Sequence, residues 1–143
     1  MRGDKNLEKR TCLRFRVLGA TVKYKKEKAF LKKTDFVADF CPVLDFSRGG
    51  IRFLATELLK FDSDVTLRIS LPGEADVMTI TGVVRWYTLN PGQSYKYQIG
   101  VQFHPYGGKK GQNDPAVLER FIELEKKFLD DAERQDESEP KKG

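Results

Sequence analysis

Two segments alternate between apolar and polar residues, and this two-residue period constrains the fold more than any other feature. In residues 65–71 every second side chain is aliphatic, and in residues 95–103 every second one is aromatic or aliphatic. Side chains along a β-strand point alternately to its two faces, whereas the apolar residues of an amphipathic helix recur every three or four positions. Both segments are therefore predicted to be strands with one buried face.

Shorter apolar segments between turn residues predict four further strands. They are expected at residues 15–24, 35–44, 51–55 and 77–87. The first should turn four side chains inward, namely Phe15, Val17, Val22 and Tyr24. Interior Gly19 and Gly82 predict bends, and Pro42 predicts a sheet edge or a break. Six short strands joined by turns predict a mainly β domain, an antiparallel barrel that is closed or nearly closed.

A helix is predicted after the barrel, because Asp114 is a good N-cap and Pro115 suits the first helical position. Its apolar residues recur at helical spacing: Leu118, Phe121, Ile122, Leu124, Phe128 and Leu129. This stripe is expected to pack on the barrel or, alternatively, to form a contact with a second copy or a partner. The chain is expected to divide into a flexible arm at 1–7, the barrel at 8–106, a linker and helix at 107–133 and a disordered tail at 134–143.

Composition favours a cytoplasmic protein that does not insert into a membrane. No apolar run approaches the roughly 18 residues that a transmembrane helix needs, and residues 1–10 lack the apolar stretch of a signal peptide. A reducing compartment argues against a disulfide between Cys12 and Cys41. The two cysteines and single histidine match no zinc spacing, so neither a metal nor another cofactor is expected.

Positive charge is concentrated in the first part of the chain. Residues 1–37 contain 12 basic and 4 acidic residues, whereas residues 113–143 contain 6 and 10. The basic part should attract a partner that carries phosphates. Alternatively, it is a solubilising face, above all the lysines at 23–33.

The DFSRGG segment at residues 45–50 is the sharper of two candidate binding motifs. Asp45 offers only acceptors, and the Ser47 hydroxyl both donates and accepts, so together they suit a donor-rich edge such as that of guanine. In an extended segment these two side chains point the same way. Gly49 and Gly50 allow a ligand to approach the main chain.

The second motif is a pair of arginines, Arg10 and Arg14, just before the first predicted strand. Their forked guanidinium groups match phosphate oxygens and also the O6 and N7 acceptors of guanine. Taken alone, such a pair is common.

Together, the two motifs resemble those of the PilZ domain family, RxxxR followed by (D/N)xSxxG. Five positions match, namely Arg10, Arg14, Asp45, Ser47 and Gly50. Similarity extends to residues 51–53, 82–86 and 99–103, while Lys9 stands where many members have another arginine. The resemblance covers about residues 8–106 and the helix that follows.

The resemblance implies a six-stranded β-barrel that binds the bacterial second messenger cyclic di-GMP on its outer surface, as one molecule or an intercalated dimer. Arg10 and Arg14 would contact phosphate and guanine, Asp45 and Ser47 would hold a guanine edge, and Gly50 would permit close approach. The arginine segment would wrap over the ligand, and a downstream protein, acting in motility or biofilm regulation, would read the result. The domain itself is expected to be a monomer or a weak homodimer.

Three further residues have two interpretations each. Lys9 either pairs with a phosphate or lies outside the site. Arg52 either reaches the ligand or forms a surface ion pair. Trp86 either flanks a guanine or packs in the core.

Other functions are less compatible with the sequence. We expect no enzyme, because no nucleophile and base are placed together and no paired carboxylates are indicated. The main alternative is a basic β-barrel that binds single-stranded nucleic acid through stacking and charge. A degenerate adaptor that binds protein alone would not need the intact five-residue motif.

Overall fold

The structure is a computed structural model that describes residues 13–26, 36, 40–92 and 94–138, with helical side chains described as far as residue 129. Within these residues the chain forms six strands and one helix. The strands are β1 (Thr21–Lys26), β2 (Cys41–Ser47), β3 (Gly50–Ala55), β4 (Asp64–Ser70), β5 (Met78–Leu89) and β6 (Tyr97–Phe103). The helix, α1, is Pro115–Ser138.

The six strands close into a barrel in the order β1-β2-β3-β6-β5-β4, with β4 returning to β1. All neighbouring strands are antiparallel, so the predicted fold class is confirmed. Among the residues that the structure describes, the seam between β1 and β2 has the fewest residue pairs, two. Pro42 lies in this seam, opposite Thr21, which suits a residue that has no N–H to donate to a ladder.

The alternating segments line the core as their period predicts. Val65, Leu67 and Ile69 are fully buried inside the barrel. On β6, Ile99 is fully buried, and Val101 and Phe103 on the same face are buried as well. Thr66, expected on the outer face, is buried as well.

The first predicted strand, 15–24, is wrong in its first half, because β1 begins at Thr21. Gly19 has a φ of +85°, so the chain turns there and does not run straight through. Phe15 instead pairs with Phe46 of β2 through two backbone hydrogen bonds of 2.9 Å. The four side chains predicted to face inward are nevertheless all buried.

The second strand was predicted at 35–44, whereas β2 is Cys41–Ser47 and ends three residues later; residues 35 and 37–39 lie outside the described residues. The motif residues Asp45 and Ser47 therefore lie on a strand, and residues 48–49 are the two central residues of the turn at 47–50. The strand continues beyond residue 44 because Phe46 is fully buried and maintains the strand alternation.

Strand β5 also differs from its predicted form. It is Met78–Leu89, longer than 77–87 at its far end. The ladder to β6 shifts between Val84 and Trp86, not at Gly82. Gly82 is required for another reason, because a Cβ there would lie 2.5 Å from the backbone oxygen of Gln102.

Helix α1 packs on the barrel, which confirms the first of the two interpretations of its apolar stripe. Phe121 is fully buried, with its ring 5.4 Å from that of Phe103 and 5.9 Å from that of Phe46. Leu124 is buried beside it, whereas Ile122 is 38% exposed and lies outside the stripe. The Asp114 carboxylate caps the helix by accepting from the Ala116 N–H at 2.9 Å.

The helix extends to Ser138, beyond the predicted boundary at 133, so residues 134–138 are helical where a disordered tail was expected. The end of a helix is predicted from capping residues and from the end of its apolar stripe, and this polar segment contains no such signal. Among the described residues, no helix combines the length and apolar character needed to cross a bilayer.

The predicted linker at 107–112 is a hydrogen-bonded loop held by Asn113. This side chain is buried, and its Nδ2 donates to the carbonyl oxygens of Thr81 and His104 at 3.0 and 2.9 Å. Its Oδ1 accepts from the Thr81 N–H at 2.8 Å. Asn113 thus fastens the start of the helix to the ends of β5 and β6.

Replacing Asn113 with Asp should therefore destabilise the fold. The new carboxylate would face two carbonyl oxygens with no donor, at a cost of about 3 kcal/mol in the free energy of unfolding. Urea unfolding followed by circular dichroism measures it. The control is Asn90→Asp, since the Asn90 amide donates to Tyr95 O in a partly exposed hairpin turn. Similar losses in both variants would contradict this role for Asn113.

Candidate ligand-binding site

Asp45 is a buried carboxylate on the outer face of the barrel, held between two arginines. The neighbouring Phe46 points into the core, so Asp45 points outward from β2. Its Oδ1 accepts from Arg14 Nη1 at 2.7 Å, and its two oxygens accept from Arg52 Nε at 2.9 and 3.0 Å. Arg52 Nη2 also donates to Oδ2. Two guanidinium groups therefore satisfy one carboxylate.

These contacts determine the protonation state of Asp45. Burial alone would raise the pKa of the carboxyl, but the hydrogen bond from Arg52 and the charges of Arg14 and Arg52 together lower it below its ordinary value. The same hydrogen bond raises the pKa of Arg52. The cluster thus carries two positive charges and one negative charge, a net charge that favours an anionic ligand.

Strand register places Asp45 in a row with three other residues on the outer surface. Asp45 pairs with Arg52, Arg52 with Gly100, and Gly100 with Trp86. Neighbouring strands are spaced about 4.8 Å apart, so the row spans about 14 Å across β2, β3, β6 and β5. Two of the three residues that had two interpretations, Arg52 and Trp86, thereby lie on one surface with the motif residue Asp45.

The Trp86 indole lies against Gly100. A Cβ on Gly100 would be 2.3 Å from Trp86 Nε1, so only glycine leaves room for the ring. Gly100 lies between the buried Ile99 and Val101, and its Cβ direction is outward. Trp86 therefore lies on the outer face with part of its ring exposed, and is not in the core.

Ser47 lies two residues beyond Asp45 and is also nearly buried. Its Oγ accepts from the Gly49 N–H at 3.2 Å. The Gly49 carbonyl in turn accepts from the Phe103 N–H at 2.8 Å. The turn at residues 47–50 is thus fastened to β6 and holds the Ser47 hydroxyl in place.

The two glycines of this turn have different surroundings. A Cβ on Gly50 would lie 2.6 Å from the Val101 carbonyl oxygen, so close packing of β3 on β6 requires glycine there. At Gly49 nothing lies within 4 Å of that direction. The space beside the turn is therefore open at Gly49, whereas the packing of β3 on β6 requires glycine at Gly50; the close approach of a ligand at Gly50 stays a prediction.

Arg48 is a residue that sequence reasoning left out. Its Nε and Nη2 donate to the two carboxylate oxygens of Glu125 on α1, at 3.1 and 2.9 Å. Tyr106 Oη donates to the Arg48 carbonyl oxygen at 2.7 Å. The sequence contains one weak signal for this contact: Glu125 is an acidic residue four positions after Phe121, on the predicted apolar face of the helix.

The structure thus brings together Arg14, Asp45, Ser47 and Arg52, with Trp86 at the far end of the row. Lys9 and Arg10 lie outside the described residues. Their expected role rests on the sequence alone.

No curated protein matches the chain. Among solved structures, the chain is similar to the Bacillus subtilis inhibitor of motility MotI/DgrA, with 16% identity and a TM-score of 0.49. The similarity covers 90% of this chain and 52% of that one, so this chain spans about half the length of that protein.

A family model gives the assignment. The model of the PilZ domain matches residues 9–123, which include both sequence motifs, all six strands and the first part of α1. PilZ domains are binding domains, and the family is one of cyclic di-GMP receptors. A match over most of the chain, together with the closed barrel and the intact motif, shows that this chain belongs to the PilZ domain family.

Proposed function

We propose that this chain is a receptor that binds cyclic di-GMP across the outer surface of β2, β3, β6 and β5, and that a partner protein recognises the ligand-bound form. The observation that carries the proposal is the Asp45 carboxylate, held between Arg14 and Arg52 and next to Ser47. This set offers acceptors to a guanine edge and cations to a phosphate within one small surface.

Guanine recognition begins with Asp45. The N1 and N2 hydrogens of guanine are donors, and an ionised carboxylate is purely an acceptor. Arginine donors already occupy both Asp45 oxygens, so a guanine must take over one of those places. Arg14 is the arginine to yield, because it makes a single contact and its side chain is 47% exposed, whereas Arg52 makes three.

A displaced Arg14 becomes available to the ligand itself. Its guanidinium can pair with a phosphate oxygen or with guanine O6 and N7. Arg10 lies four residues earlier, at most about 14 Å along an extended chain, which is within reach of the second phosphate of the same ligand or of a second ligand. Lys9 adds a further positive charge beside it.

The far end of the row offers a stacking surface. Purine rings stack on aromatic side chains, and the exposed part of Trp86 lies about 10 Å from Arg52 by strand spacing. The open side of Gly49 leaves room for a ligand above the turn. A ligand with two guanines and two phosphates can therefore contact both ends of the row.

Calorimetry with cyclic di-GMP tests the site. Arg14→Ala, Asp45→Ala and Ser47→Ala should each weaken binding, the charged residues by about 10- to 100-fold, because each removes a charge-assisted hydrogen bond. The control is Arg68→Ala, which also removes a positive charge but lies on β4, outside the row. Absence of heat for the wild type at tens of micromolar, or an equal loss in the control, would count against the proposal.

Intrinsic fluorescence tests the stacking step, since Trp86 is the single tryptophan of the chain. Cyclic di-GMP should quench it, and Trp86→Ala should weaken binding about tenfold or more, as expected for one lost base stack. Trp86→Phe keeps a ring and should lose less. Unchanged emission at saturating ligand would show that no guanine reaches Trp86.

The same titrations distinguish the nucleic-acid alternative. A single-strand binder retains affinity for generic oligonucleotides and loses it steeply with salt. The receptor proposed here should prefer cyclic di-GMP to GTP and to oligonucleotides at every salt concentration.

We further propose that ligand binding orders the arginine segment over the barrel and so creates the surface that the partner recognises. Hydrogen exchange of residues 1–14 should slow when cyclic di-GMP is added, because Arg10 and Arg14 then hold the segment against the ligand. Residues 56–62, between β3 and β4, serve as an internal control and should not change. Equal exchange of residues 1–14 in both states would exclude ordering by the ligand.

A further inference from the structure

We propose that helix α1 is a functional part of the ligand site, because Glu125 holds Arg48 and thereby positions the turn at residues 47–50. The inference rests on the proposed function and extends it to a helix that lies outside both sequence motifs. Arg48 and Glu125 are here positioning residues that act through Ser47 and Gly49 without touching the ligand.

Two nitrogens of the Arg48 guanidinium contact the two carboxylate oxygens of Glu125. Two parallel hydrogen bonds of 3.1 and 2.9 Å join the guanidinium to the carboxylate, the geometry that fixes orientation as well as distance. The Glu125 side chain is only 10% exposed, so it depends on this partner for its hydrogen bonds.

The main chain of the same turn is held independently. Tyr106 Oη donates to the Arg48 carbonyl, and the Phe103 N–H donates to the Gly49 carbonyl. These bonds fix one side of the turn to the end of β6. The bond to Glu125 fixes the other side to α1, so removing it leaves the turn attached along one side alone.

The helix also contacts the residue that follows Arg14. The ring of Phe15 stacks on that of Phe46 at 5.7 Å and on that of Phe128 at 6.5 Å. Phe46 in turn touches Phe121. Helix α1 therefore supports both halves of the site: the turn through Glu125 and the start of the arginine segment through Phe128.

Direct contact of Arg48 with the ligand is disfavoured by the same geometry. Freeing its guanidinium would leave the nearly buried Glu125 carboxylate without a partner, which is strongly unfavourable. We therefore expect the pair to stay intact when cyclic di-GMP binds and to keep Ser47 and Gly49 in the binding arrangement.

A double-mutant cycle measures this role. Affinity for cyclic di-GMP should fall about tenfold in Arg48→Ala, in Glu125→Ala and in the double variant alike, since either change breaks the same contact. Glu125→Gln, which keeps the size of the side chain, should give a similar loss. Glu123→Ala is the control, because it removes the same charge from an exposed position on the same helix.

Three results would overturn the proposal. Tighter binding by Glu125→Ala with weaker binding by Arg48→Ala would show that Arg48 contacts the ligand directly. Lower melting temperatures with unchanged affinity would show that the pair is structural only. Additive losses in the double variant would show that the two residues act separately.

A measurement on the ligand-free protein separates this inference from the proposed function. Amide hydrogens of residues 48–50 should exchange about tenfold faster in Glu125→Gln than in the wild type, and at the wild-type rate in Glu123→Ala. Equal rates in all three proteins would refute the positioning role whether or not the wild type binds cyclic di-GMP.

Discussion

The packing of the buried Phe46 ring against Phe15 and Phe121 is the interaction on which the rest of this structure depends. The ring lies between Phe15 and Phe121, so one side chain joins the start of the described chain, the barrel core and helix α1. Because side chains alternate along a strand, burying Phe46 sends Asp45 and Ser47 to the outer surface. The polar residues of the motif thus lie on the outer side of the barrel as a direct result of packing in the core.

The surface that results is electrostatically unusual, because a carboxylate with little exposure faces outward with two arginines. Desolvation opposes the charge of Asp45, and the contacts with Arg52 and Arg14 outweigh it. Asp45 and Arg52 are held together in the absence of ligand, so under the proposed function this part of the site is formed in advance, which would lower the entropic cost of binding. The net positive charge of the cluster remains available for phosphate.

Much of the fold and part of the site could be predicted from local pattern. The period of two in residues 65–71 and 95–103 predicted core strands, which the structure has at Asp64–Ser70 and Tyr97–Phe103, and Asp114 predicted the start of the helix. Strand boundaries were less accurate: Asp45 and Ser47 read as a turn, yet they belong to β2, because burial of Phe46 outweighs the low strand propensity of its neighbours. The end of α1 was predicted too early for a different reason: its last turns are polar and contain no residue that signals the end of a helix.

The sequence by itself determined the strand period, the family motif and the concentration of positive charge near Arg10 and Arg14. Only the tertiary structure decided which distant residues meet. Trp86 reaches the row of Asp45 and Arg52 because β3 pairs with β6 and β6 with β5, and Arg48 reaches Glu125 across 77 positions because α1 folds back on the barrel. Such contacts depend on strand order and helix docking, which are set by burial of the whole core and leave no mark in any short segment.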